Sequence, residues 1–224
     1  TLQSNGAVTQ TAATVLTAPS LVLAGTAAGS GDFTLAESGN VIGTASSTNT
    51  VNTVSLRDDT DLSLGALTTD VSVTLQSNGA VTQTGALTAP VLTLTSTVAG
   101  TADFDLGTQA NVIGTASSTN TVNTVALRDD TNLTLSALTT DVSVTLQSNG
   151  AVTQTGATVL TAPSLILTGT AAGSGDFTLA ESGNVIGTAS STNTVNTVSL
   201  RDDTDLSLGA LTTDVSVTLQ SNGA

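Results

Sequence analysis

Apolar residues in this chain come in pairs two positions apart, each pair followed by a polar loop and a fresh apolar start. Phe104 and Leu106 flank Asp105, and Val112 stands eight residues after Phe104. Val125 and Leu127 are followed by Leu133, and Val144 and Leu146 by Val152, at the same distance. Such alternation marks strands with one buried face. The segments between them, 107–111, 128–132 and 147–150, are rich in Gly, Asn, Asp and Ser and read as turns. No stretch carries a helical period of useful length. The pattern predicts inward side chains at Phe33, Leu35, Val54, Leu56, Leu62, Leu64, Val73, Leu75 and Val81, and at their equivalents in later copies.

The strand starts are regularly spaced. Phe33, Val54 and Val73 lie 21 and 19 residues apart, as do Phe104, Val125 and Val144. Coils of 19–21 residues fit a parallel β-helix, and the fold class expected is all-β, a β-solenoid. Phe104 comes 31 residues after Val73, and Phe177 comes 33 after Val144. That long interval holds Leu92-Thr-Leu94 and a Gly/Ala/Ser/Thr stretch; it reads as one coil with an excursion, with two short coils as the alternative. The heptapeptide Thr-Leu-Gln-Ser-Asn-Gly-Ala begins at residues 1, 74, 145 and 218. Repeats therefore run 1–73, 74–144 and 145–217, with a partial copy at 218–224, in one continuous solenoid segment over 1–224. The first and third copies differ only at Ala12/Gly156, Val22/Ile166 and Ala24/Thr168. About three coils per repeat of roughly 72 residues, stacked at about 4.8 Å, predict a rod about 40–50 Å long. The chain starts and stops inside a repeat, so it is expected to be a piece of a longer array, with bare sheet edges that favour association with itself, end to end or laterally.

Two details refine the reading. The first repeat has Ala12-Ala-Thr-Val-Leu16 where the second has Gly85-Ala-Leu87. A two-residue difference keeps later side chains on their faces, as strand register requires. Each repeat has one proline (Pro19, Pro90, Pro163) after Leu-Thr-Ala; lacking a donor, it is expected at a corner or strand start.

Composition narrows the interior and the partners. Val, Leu, Ala and Ile dominate, with three Phe and no Trp, Tyr, Met, Cys or His. A narrow core of small branched side chains suits this alphabet. The net charge of −14 argues against nucleic acid and against docking on an anionic membrane leaflet. No apolar run reaches the length of a membrane span. With only 9% charged residues and positive mean hydropathy, the chain is not expected to be disordered.

Several phrases resemble a known family: residues 79–89 (Gly-Ala-Val-Thr-Gln-Thr-Gly-Ala-Leu-Thr-Ala), Asn111-Val-Ile-Gly114, Gly31-Asp-Phe-Thr-Leu35 and 62–67 (Leu-Ser-Leu-Gly-Ala-Leu). They are similar to the repeats of large secreted adhesins of the filamentous-haemagglutinin type, exported by two-partner secretion in Gram-negative bacteria. The resemblance implies a right-handed parallel β-helix, placement at the cell surface or outside the cell, and the shaft of a fibre or adhesin active in attachment or biofilm. Partners would be further copies of itself and cell-surface glycan or matrix.

The densest polar feature is Arg57-Asp-Asp-Thr-Asp61, which returns at Arg128–Asn132 and Arg201–Asp205. Paired carboxylates can perform acid–base work on glycosidic bonds. Three equivalent copies and the absence of His, Lys, Tyr and Cys speak against an active site, and no catalytic residue, metal site or cofactor is assigned. Turn carboxylates can also hold a hard cation. Asp58, Asp59, Asp61, Asp129, Asp130, Asp202, Asp203 and Asp205 are the candidates for surface Ca2+, the basis of an alternative calcium- or carbohydrate-binding module, although the known calcium-loop motifs are absent. The ordinary reading of these residues is solvated turn charge. Asn49/Asn52 and their equivalents, and Asn78 before Gly in every copy, read as structural: internal ladders and left-handed turn backbone. Thr-Gln-Thr returns only every 71–73 residues, too seldom for the paired threonines on consecutive rungs that an ice-binding face needs.

Overall fold

The computed structural model describes residues 1–223, and among them it contains strands and turns but no helix. All strand pairings are parallel, and strands follow the chain up two stacked sheets in alternation. The first sheet begins with Leu2–Ser4, then Thr17–Gly25, Val41–Ser47 and Leu62–Leu64; the second begins with Ala7–Thr9, then Asp32–Leu35, Val51–Asp58 and Leu67–Ser77. Ten inter-coil steps carry the first sheet from Leu2 to Leu208. At about 4.8 Å per step the stack is about 48 Å tall.

The coil count per repeat corrects the sequence reading. Phe33 pairs with Val54, and Val54 with Val73, all in the second sheet. Phe104 instead pairs with Val81 and Val125 in the first sheet, and Phe177 returns to the second beside Val152 and Val198. The interval from Val73 to Phe104 is therefore neither one coil nor two but one and a half. Each repeat contributes three and a half coils rather than three, and equivalent residues of successive repeats fall on opposite faces. The rod has an approximate two-fold screw, a half turn with a rise of about 17 Å per repeat.

Every inward residue named above from Phe33 to Val81 is buried, as are its equivalents from Phe104 to Val152. They form one continuous apolar column, with Phe33, Phe104 and Phe177 the largest side chains in it. Val/Leu pairs two apart on a strand place both side chains inward, and the same pair one coil later lies directly above, so each layer covers the next. In the last coil the stacking stops, and Leu208, Val217 and Leu219 are exposed.

Three local expectations are corrected. Pro19, Pro90 and Pro163 lie inside strands Thr17–Gly25, Leu87–Ser96 and Leu160–Gly169, not at corners. Pro90 sits where the register steps from Thr88↔Thr68 to Val91↔Ser72, a bulge that spares its missing N–H. The turn expected at 107–111 is extended, part of the strand Asp103–Ser118 that passes from the first sheet to the second. In the other copies the corresponding corner bends at Gly39 (φ +83°) and Gly183 (φ +86°); the second copy has Ala110 there and takes the extended path. The two-residue length difference resides in a turn rather than a strand. Ala13 adopts φ 60° there, its N–H donating to Glu37 Oε2 at 2.9 Å, and Ala157 with Glu181 repeats this. The loop absorbs the extra residues, and the second copy, which lacks them, also lacks the glutamate.

Candidate functional site

The Arg-Asp-Asp corners close strands Val51–Asp58, Val122–Asp129 and Val195–Asp202. Alternation carries the first aspartate of each inward, and Asp58, Asp129 and Asp202 are fully buried. The reading of these three as solvated charge is thus corrected. Asp129 accepts from the N–H of Ile113 at 2.6 Å and from the N–H and Oγ1 of Thr131, both at 2.8 Å. Asp58 and Asp202 do the same with Ile42 and Thr60, and with Ile186 and Thr204. A buried carboxylate is tolerated where amide and hydroxyl donors saturate it; the threonine bonds close the turn itself, and the isoleucine bond fastens it to the coil below.

The second aspartate points outward to its own arginine. Arg57 grips Asp59 through two nitrogens at 2.8 and 3.1 Å, and Arg128 grips Asp130 at 2.7 and 2.8 Å. Arg201 and Asp203 form the third such pair, at 2.9 Å. The arginine hydrogen bond holds the carboxyls of Asp59, Asp130 and Asp203 below the ordinary aspartate range. Gly39 and Gly183 also donate to Asp59 and Asp203, each at 2.7 Å. Asp61 Oδ1 accepts from Ala80 N–H at 2.9 Å, and Asn132 Oδ1 accepts from Ala151 N–H at 3.0 Å. One carbonyl-type oxygen is all this position needs, which accounts for the Asp/Asn exchange. Asp205 is the equivalent in the third copy.

Beneath each corner lies a group that the sequence reading missed. Asn40, Asn111 and Asn184 are fully buried. Asn111 Oδ1 accepts from Leu87 N–H and Gln83 Nε2, both at 2.8 Å, while its Nδ2 donates to Leu106 O and Arg128 O at 2.9 and 3.0 Å. Its backbone carbonyl accepts from Asp130 N–H at 3.0 Å. Gln83, Asn111 and Asp129 thus form a polar column through three consecutive coils at one edge of the apolar core, and Gln154, Asn184 and Asp202 repeat it. The signal was in the sequence: Asn is the residue kept when this corner changes from Ala-Glu-Ser-Gly-Asn40 to Gly-Thr-Gln-Ala-Asn111.

Asn49, Asn120 and Asn193 each bracket the coil below, Asn49 Oδ1 accepting from Gly25 N–H and Nδ2 donating to Gly25 O, both at 2.9 Å. Gly79 and Gly150 do not occupy left-handed backbone. They are required by space instead: a Cβ would lie 2.6 Å from Thr60 O or 2.3 Å from Thr131 O, one coil below. Outward hydroxyls do align on consecutive rungs, as Thr9, Thr34, Ser55, Thr74, Thr93 and Ser117. The adjacent column, Ala7, Asp32, Thr53, Ser72, Val91 and Thr115, is mixed, so no lattice of paired threonines results.

Among the described residues no pocket indents the rod, and no helix is long and apolar enough to cross a membrane. The unbroken parallel stack and its repeating corners define a β-solenoid repeat protein. The chain belongs to DUF5649, a family of repeats of unknown function, whose pattern matches residues 51–120 and 122–193. No curated protein and no solved structure matches it.

Proposed function

We propose that this chain is a length of structural shaft from a long extracellular fibre or surface adhesin, with a mechanical rather than a catalytic role. The observation that carries the reading is the ladder itself: two parallel sheets run unbroken through ten coil-to-coil steps over a filled core. Buried carboxylates and amides fasten the corners at each repeat. Such a stack resists bending and protease because no coil opens without breaking its bonds to both neighbours. The resemblance to secreted adhesin repeats supports the placement outside a Gram-negative cell and the attachment role. Like copies meeting edge to edge would extend the shaft.

The test is to express the full-length parent protein with an epitope inside this segment, then measure surface labelling of intact cells and their adhesion with and without the segment. Surface labelling with loss of adhesion, or shortened fibres by electron microscopy, is expected on deletion. An epitope reached only after lysis would overturn the placement. A glycan array and a calcium titration of the purified segment are expected to be silent; saturable binding lost in Asp59→Ala/Asp130→Ala/Asp203→Ala would favour a ligand-binding module instead.

A further inference from the structure

The stacking imposes a chemical liability on the corners that follow Ser4, Ser77, Ser148 and Ser221. Each reads Ser-Asn-Gly, with the asparagine exposed. Glycine is obligatory in the stacked copies for lack of space above the previous coil. An exposed asparagine before glycine is the dipeptide most open to deamidation, because no side chain hinders the glycine nitrogen. In that reaction the Gly150 nitrogen gives its proton to solvent base and attacks Cγ of Asn149. The bond from Cγ to the side-chain nitrogen breaks, ammonia leaves, and a succinimide ring remains. Water then adds to one of the two ring carbonyls and opens it to aspartate or isoaspartate.

The structure places a guard on the attacking atom. Gly79 N–H donates to Ser77 Oγ at 3.0 Å, and Gly6, Gly150 and Gly223 donate to Ser4, Ser148 and Ser221, each at 3.1 Å. The same serine hydroxyl donates to the glycine carbonyl, at 3.2 Å from Ser77 and 3.1 Å from Ser148, closing the turn from both ends. Ser77 and Ser148 are themselves fully buried, so water does not compete for the bond. A nitrogen whose proton is held by an acceptor is harder to deprotonate.

We propose that the Ser-Asn-Gly corners are deamidation sites kept latent by the preceding serine, and that they become reactive when a coil loosens. Reaction would add one negative charge to an already acidic rod, and isoaspartate would lengthen the backbone at a corner whose fit tolerates no extra atom. The corners would thus record, irreversibly, how long each coil has been open.

The experiment is incubation of the folded protein at mildly alkaline pH, with peptide mapping by mass spectrometry to follow Asn78 and Asn149 separately. Ser148→Ala is expected to speed deamidation at Asn149 about fivefold, the rate equivalent of one net hydrogen bond of about 1 kcal/mol, while Asn78 in the same molecule keeps its rate. Ser148→Thr, which retains the hydroxyl, should restore the slow rate. An unchanged Asn149 rate in Ser148→Ala overturns the proposal, and so does an equal rise at Asn78, which would mean general loosening. Should Ser148→Ala fail to fold, the unsubstituted protein decides: its Asn149 must react at least fivefold more slowly folded than in urea, and equal rates sink the idea.

Discussion

Replacing Asn111 by alanine should cost far more stability than its surface chemistry suggests. The side chain is fully buried and satisfies the N–H of Leu87 and the amide of Gln83, while donating to the carbonyls of Leu106 and Arg128. Alanine leaves the buried Leu87 N–H without a partner and Gln83 Nε2 with only a long 3.4 Å bond to Gly85 O, each costing about 1–3 kcal/mol. A loss of about 3–4 kcal/mol follows. Asn120→Ala is the comparison: it frees only the N–H and carbonyl of one residue, Ser96, and should cost about 1–2 kcal/mol, less than Asn111→Ala. Long repeat arrays need not unfold in one step, so the assay is hydrogen exchange resolved by coil, backed by urea titration followed by circular dichroism. In Asn111→Ala the amides of Leu87 and Ile113 should lose protection while those around Leu2–Ser4 and Val198–Leu200 keep it. If Leu87 remains protected, or the two variants cost the same, the polar column is not what fastens these coils.

Three further outcomes follow from named contacts. Gly114→Ala would bring a Cβ to 2.6 Å from Pro90 O and should cost about 1–3 kcal/mol by urea titration, whereas Gly156→Ala meets nothing within 4 Å and should be neutral. Asp61→Asn should leave stability within about 0.5 kcal/mol, since Asn132 already performs the same task in the second repeat. The carboxyls of Asp59 and Asp130 are depressed in the folded state, so their arginine pairs contribute above the unfolded value of about 3.9 and are lost as pH falls through the lower folded value. Arg57→Ala and Arg128→Ala should therefore each cost up to about 1 kcal/mol in thermal melts near neutrality and nothing at a pH below the folded value.

The apolar pairs were legible because alternation is a local property: Phe104 and Leu106, or Val144 and Leu146, declare their strand without any knowledge of their neighbours. So was the 21- and 19-residue spacing, which links residues in one sheet. The half coil was not legible. Strands of the two sheets use the same alphabet, so nothing in Leu92-Thr-Leu94 says that it stacks on Val73 and Leu75 while Val81 leads to Phe104. The Arg-Asp-Asp turns were found, but their first carboxylate was misplaced, since a charged residue at a strand end reads as outward unless the amides waiting for it are known. Asn111 was passed over because its partners come from residues as far away as Gln83 and Arg128.

Seven strands to a repeat is an odd number, and that parity governs how the rod can be decorated. A substitution copied into every repeat would populate the front and the back equally, each with about 34 Å between marks. The same substitution confined to alternate repeats would produce a shaft with two unlike sides. Sequence drift that distinguishes odd repeats from even ones is thus enough, with no change of backbone, to turn a symmetric rod into one that can tell left from right.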